Sequence, residues 1–109
     1  MSEPTTVLVD ARNVQRSQWP NIPDEELVER CRRWADEENV RVLLVFDGEA
    51  PPGEDVVGTG RESADDWIAR AAAELDRYWL VTSDRELRER AGGNAERVIG
   101  GGSFLRQLP

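Results

Sequence analysis

Three short apolar runs in the chain end in an aspartate: Val7-Leu8-Val9-Asp10, Val42-Leu43-Leu44-Val45-Phe46-Asp47 and Leu80-Val81-Thr82-Ser83-Asp84. Runs of Val and Leu at that length read as strands buried on both faces, the kind found in a parallel sheet. Parallel strands bring their carboxyl ends to one edge, and with them three carboxylates. Two like charges ~5 Å apart at an effective dielectric of ~20 repel by roughly 3 kcal/mol. The acids must then be spread apart, protonated or neutralised by a cation, and the pattern points to a metal site.

Each acid also has a plainer reading. Asp10-Ala11-Arg12-Asn13 fits an Asx-turn leaving the sheet as well as a metal ligand with Asn13 orienting it or touching a phosphate. Asp47-Gly48 is an ordinary turn pair. Asp84 fits a first-turn helix acid behind a capping pattern of Ser83 and Glu86. In Ser63-Ala64-Asp65-Asp66 a Ser63 cap near Asp66 is worth about 1 kcal/mol and accounts for both residues. It leaves Asp65 only the favourable field of a helix start, which makes Asp65 the better ligand candidate. Four such motifs meeting at one sheet edge favour the metal reading.

Composition narrows the chemistry. The 109 residues contain no histidine and no lysine, and all 14 basic residues are arginine. This excludes Ser-His-Asp and Cys-His catalysis, histidine-ligated zinc, a P-loop lysine and a Schiff-base lysine. Oxygen-only ligands favour a hard cation, Mg²⁺ or Mn²⁺. The net charge of −8 argues against broad nucleic-acid binding through a basic face. A bound cation reverses the local sign, so a phosphodiester substrate stays open. The lone Cys31 reads as a small core residue in a reducing compartment, and the apolar runs are too short for a membrane span or a signal peptide. A single domain spanning 1–109 in the cytoplasm is expected.

The elements must place these acids. Thr5 to Asp10 reads as the first strand and Ala11 to Pro23 as an irregular connection. Asp24 to about Asn39 reads as a helix with Leu27, Cys31, Trp34 and Ala35 on one stripe. Val40 to Phe46 is the second strand, Val56-Val57 a short one, and Ser63 caps a helix to about Arg77. Tyr78 to Thr82 is a strand, Asp84 to Ala91 a helix stopped by Gly92-Gly93, Val98-Ile99 a last short strand, and Ser103 to Leu108 a helical turn. Alternating strands and helices imply an α/β domain with helices on both faces and ligands outside the carboxyl ends of the strands. Arg12, Arg16, Arg61 and Arg85 are either phosphate clamps or solvated partners of nearby acids. Trp19 reads as a lid over the core or a platform for a base. Gly100-Gly101-Gly102 reads as a flexible turn or a close approach to phosphate.

In order, Val-Asp10-x-x-Asn13, Val-Phe46-Asp47-Gly48, Glu62-Ser63-Ala64-Asp65 and Val-Thr82-Ser83-Asp84-Arg85 resemble the NYN branch of the PIN-like nucleases. Within it the likeness is to the small YacP-like bacterial ribonucleases, over Val7 to about Leu105. The resemblance implies a three-layer αβα Rossmann-like domain with a mainly parallel sheet of four to five strands. It implies Mg²⁺- or Mn²⁺-dependent endonucleolytic cleavage of RNA. Asp10, Asp47, Asp65 and Asp84 match the catalytic, metal-binding acids. Asn13 and Ser83, with Arg12 and Arg85, are then the substrate-binding candidates, and Glu62 and Asp66 additional acids. An RNA substrate is the implied partner, with a ribosome or other protein as a further one, no membrane, and a monomer or homodimer. Relatives usually carry Asp-Gly-aromatic-Asn where this chain has Asp10-Ala11-Arg12-Asn13, and the stretch from Gly48 to Glu62 is short. Both departures touch substrate grip more than metal binding. The rival reading is a catalytically weak or inactive module of the same fold that binds RNA or a protein. A receiver-like domain would want a lysine near the last strands, and a haloacid-dehalogenase-type phosphatase would want an acid where Arg12 stands.

Overall fold

In the computed structural model, which describes residues 4–109, five strands form one all-parallel sheet in the order β3-β2-β1-β4-β5. The chain runs β1 (Thr6–Asp10), α1 (Ala11–Arg16), α2 (Asp24–Glu38), β2 (Arg41–Phe46), β3 (Val56–Gly58), α3 (Ala64–Ala73), β4 (Tyr78–Val81), α4 (Arg85–Ala91), β5 (Arg97–Ile99) and α5 (Gly101–Gln107). The three-layer αβα architecture and the parallel sheet agree with the expectation from sequence.

β1 lies at the centre and is the most continuously buried strand. Val7, Leu8 and Val9 have no exposed surface, and backbone pairing with β2 and β4 satisfies both of its edges. Side chains alternate across the sheet. Val7 and Val9, with Val42, Leu44, Phe46 and Val81, face α1, α2 and α5. Leu8, Val45 and Leu80 face Ile68 and Ala72 of α3 and Leu87 and Ala91 of α4. Trp34 of α2 sets its edge against Phe104 of α5 at 4.9 Å and Trp79 of β4 at 6.2 Å, so one indole ties two helices to the sheet. Cys31 is buried in that layer, where burial pushes its thiol up to about 12 and leaves it inert. Among the described residues no helix is long and apolar enough to cross a membrane.

Four boundaries differ from the sequence reading. The connection after β1 is not wholly irregular: it opens with α1, held by burial of Ala11 and Val14 one turn apart. Two apolar residues give too little periodicity to show in sequence. α3 stops at Ala73, because Leu75 turns back to donate to the Ala72 carbonyl. Asp84, not Ser83, caps α4, its Oδ1 accepting from the Leu87 amide at 2.9 Å. The triple glycine is no flexible turn: α5 begins at Gly101, where a Cβ would lie 2.5 Å from Asn13 Oδ1. Only glycine lets α5 approach α1 that closely.

Phe104 is fully buried at the junction of three elements. Phe104→Ala is expected to lower stability by about 3–5 kcal/mol, read as a shifted urea midpoint with unchanged slope.

Candidate active site

The carboxyl edge of the sheet gathers the predicted acids. Asp10 ends β1, Asp47 follows β2, Asp65 stands in the first turn of α3, and Asp84 caps α4. Asp10 is only 5% exposed. Its Oδ2 accepts a hydrogen bond from the Thr82 hydroxyl at 2.9 Å, and Thr82 Oγ1 in turn accepts from the Asp84 amide at 3.1 Å. A single buried threonine thus fixes the spacing between the ends of β1 and α4. Its role was not drawn from the sequence, where Thr82 reads as an ordinary β-branched strand residue. The available signal was its place two residues before the last acid.

The electrostatics show that the acids sense one another. Burial pushes the Asp10 carboxyl up to about 6, Thr82 and the charge of Arg16 oppose this, and Asp65 and Asp84 reinforce it. Asp65 is also raised, first by burial and then by Asp84, with Glu86 and Asp47 adding and Arg90 opposing. Asp47 is exposed and reaches the group only as one of the weaker influences on Asp65. Its place at the rim is set by Gly48, which adopts φ +84° and binds Thr59 and Gly60 across the turn. Among the described residues no three carboxylates converge closely enough to hold a metal ion. The acids share a field but not a ready-made coordination shell.

Other candidates have partners inside the protein. Glu62 pairs with Arg70 through both oxygens, and this pairing holds its carboxyl below the usual range. Asp66 pairs with Arg90 at 2.9 Å. Arg12 bonds Gln15 and Asp24, reaches the Glu49 carbonyl and lies 5.1 Å over the Phe46 ring. It clamps the start of α2 to the connection after β2. Asn13 Oδ1 accepts from the Ser83 amide at 2.9 Å, and Ser83 Oγ accepts from the Gly101 amide at 2.8 Å. These two residues lock α1, the β4–α4 turn and α5 together. Arg85 is exposed at the start of α4, without an ion pair among the described residues. Trp19 is no lid over the core: it is 88% exposed in the segment between α1 and α2.

No family model and no curated protein matches the sequence. Solved structures do. The W164L mutant of Rae1 (YacP) from Bacillus subtilis superposes with a TM-score of 0.78 at 23% identity, over 94% of this chain and 74% of that one. Rae1 (YacP) without that mutation gives 0.72 at 22% identity, over 98% and 73%. The likeness establishes a YacP-like fold.

Raising Asp10 above its ordinary value near 4 means the unfolded chain releases this proton first, so the charged form opposes folding. Stability is therefore expected to fall as pH rises from about 4 to about 6 and then to level, by about 3 kcal/mol from this group. Asp10→Asn should remove that part of the slope and stabilise the protein at neutral pH. Urea unfolding of both proteins across this range checks it. Gly101→Ala should cost about 1–3 kcal/mol by displacing Asn13 from Ser83. Combined with Asn13→Ala, the total should be less than the sum, as a double-mutant cycle will show.

Proposed function

We propose that the chain is a divalent-metal-dependent ribonuclease that hydrolyses RNA phosphodiesters at the Asp10, Asp47, Asp65 and Asp84 edge. The observation that carries this reading is the mutual field of the acids: burial, Asp65 and Asp84 all disfavour charge on Asp10, and Asp84 and Asp47 disfavour it on Asp65. An acidic cluster this costly to ionise, with no basic residue bonded to its central member among the described residues, fits a cation as its neutralising partner. The order of the motifs and the YacP-like fold support the same reading.

The donor set is oxygen only, suited to Mg²⁺ or Mn²⁺. Asp10, Asp65 and Asp84 would hold the ion, with Asp47 at the rim, in part through waters because the carboxylates do not converge on their own. Such an ion, when bound, supplies a lowered pKa for water and neutralises charge on phosphoryl oxygens. The chain's own residues fix the geometry. Thr82 holds one oxygen of Asp10, and the α4 cap holds one oxygen of Asp84. The Asn13–Ser83–Gly101 lock keeps the turn carrying Asp84 in place, so these residues act on substrate through position. Arg85, exposed beside Asp84, is a phosphate contact. We place this activity in the cytoplasm, with RNA, alone or on a ribosome, as the partner.

A second reading is favoured by the lack of convergence among the carboxylates: a module of the same fold that binds RNA or a protein without cleaving it. One experiment separates the two. Purified protein is incubated with single-stranded and structured RNA in Mn²⁺, Mg²⁺ or chelator. Cleavage should require metal and fall roughly 100-fold or more in Asp65→Asn and Asp10→Asn. Calorimetry showing no divalent-ion binding by the wild type would leave the non-catalytic module as the correct reading.

A further inference from the structure

The arginines are not distributed evenly with respect to their partners. Seven of the 14 form ion pairs among the described residues. Of the others, Arg97 stacks on Trp79 and Arg41 begins β2 at the opposite end of the sheet. The remaining five all lie on segments that leave the carboxyl ends of strands. They are Arg16 on α1, Arg61 before α3, Arg85 and Arg88 on α4, and Arg106 on α5. In a chain of net charge −8, five of the seven arginines without an ion pair among the described residues therefore lie on segments that start from the acidic edge. Surface pairs elsewhere cancel locally, and these do not.

Trp19 follows one of these arginines, in the segment between α1 and α2. Trp34, Trp67 and Trp79 are buried or half-buried, whereas Trp19 is 88% exposed with Arg16 three residues before it. Its segment is held at the acidic side of the molecule. α1 leaves the sheet at Asp10, and Asp24 at the start of α2 is bonded at 2.8 Å to Arg12, which also reaches the Glu49 carbonyl beyond β2. The charge of Arg16 is felt at Asp10 itself. Arg106 approaches from α5: a Cβ on Gly102 would have the Arg106 guanidinium at 3.5 Å and Ser17 at 3.8 Å. An exposed indole in the segment that follows Arg16, with Arg106 near Ser17 of that segment and neither arginine in an ion pair among the described residues, has the make-up of a stacking platform with backbone contacts beside it.

We propose that Trp19, Arg16 and Arg106 bind a single-stranded segment of the RNA beside the acidic edge, the indole stacking on an unpaired base and the guanidiniums contacting flanking phosphates. A base in a duplex has its faces covered by its neighbours, so this platform selects unpaired nucleotides. The proposal rests on the ribonuclease reading for its substrate and adds which form of RNA is taken and by which residues.

The test separates binding from cleavage. Fluorescence anisotropy measures a short labelled single-stranded RNA on the full chain, with Ca²⁺ in place of Mg²⁺, against a duplex of the same sequence. Single strand should bind more tightly than duplex. Trp19→Ala should weaken single-strand binding about tenfold, and Trp19→Phe should retain most of it. Arg16→Ala and Arg106→Ala should each reduce the salt dependence by about one phosphate contact. Because Trp19 is exposed, its variants should melt with the wild type. Equal affinity of Trp19→Ala and wild type, or a preference for duplex, would overturn the proposal. Metal-dependent cleavage with the same KM in Trp19→Ala would also overturn it while leaving the ribonuclease reading intact. Absence of cleavage with Trp19-dependent binding would do the reverse.

Discussion

The hydroxyl of Thr82 is the point on which the arrangement of the acidic edge depends. It donates to Asp10 and accepts from the Asp84 amide, so one buried oxygen sets both the end of the central strand and the start of α4. The Thr82 hydroxyl favours the charged form of Asp10 at that depth. The bond only partly offsets burial, and the carboxyl remains raised to about 6. The centre of the site is thereby held in a state that folding alone does not favour, which is common where a fold reserves a group for a ligand.

Around that point the structure uses polar side chains as ties between elements. Arg12 joins α1, the start of α2 and the connection after β2, and its stacking on Phe46 anchors this tie to the sheet. Asn13 and Ser83 join α1, the β4–α4 turn and α5 through backbone amides. An asparagine or serine beside a cluster of acids invites assignment to substrate. Here the backbone amides of Ser83 and Gly101 need partners, and these side chains supply them. Their influence on a reaction runs through the position of Asp84 and Asp10.

Much of the fold was legible in the sequence because its signals are local. Val7-Leu8-Val9 and Val42 to Phe46 are apolar on both faces, and a parallel sheet covered on both sides buries all of them but Leu43, which is half-buried. The stripe Leu27, Cys31, Trp34 and Ala35 marked α2 through its period, and all four are buried. α1 escaped because its burial rests on two residues. The start of α5 escaped because glycines normally end helices, and their use here depends on how near α1 comes. The ends of α3 and the cap of α4 turned on which backbone groups found partners, a matter of one or two hydrogen bonds.

The same division holds at the site. By itself the sequence determined the chemistry that is available. Without histidine or lysine, only carboxylates, hydroxyls, amides and arginines remain, and the residue after each apolar run decided which acids reach the edge. Tertiary structure alone decided which of them interact. Glu62 is one residue and Asp66 three residues from Ser63, and Asp65 is two away, yet Glu62 and Asp66 each pair with an arginine, while Asp65 feels the charge of Asp84. It likewise left Trp19 in solvent and placed Thr82 beneath the acids. The physical reason is range. Residue type and strand ends are set by covalent order and local burial, but charge coupling and hydrogen bonding act over a few ångströms between residues as distant in sequence as Asp10 and Thr82, and only the folded chain sets those distances.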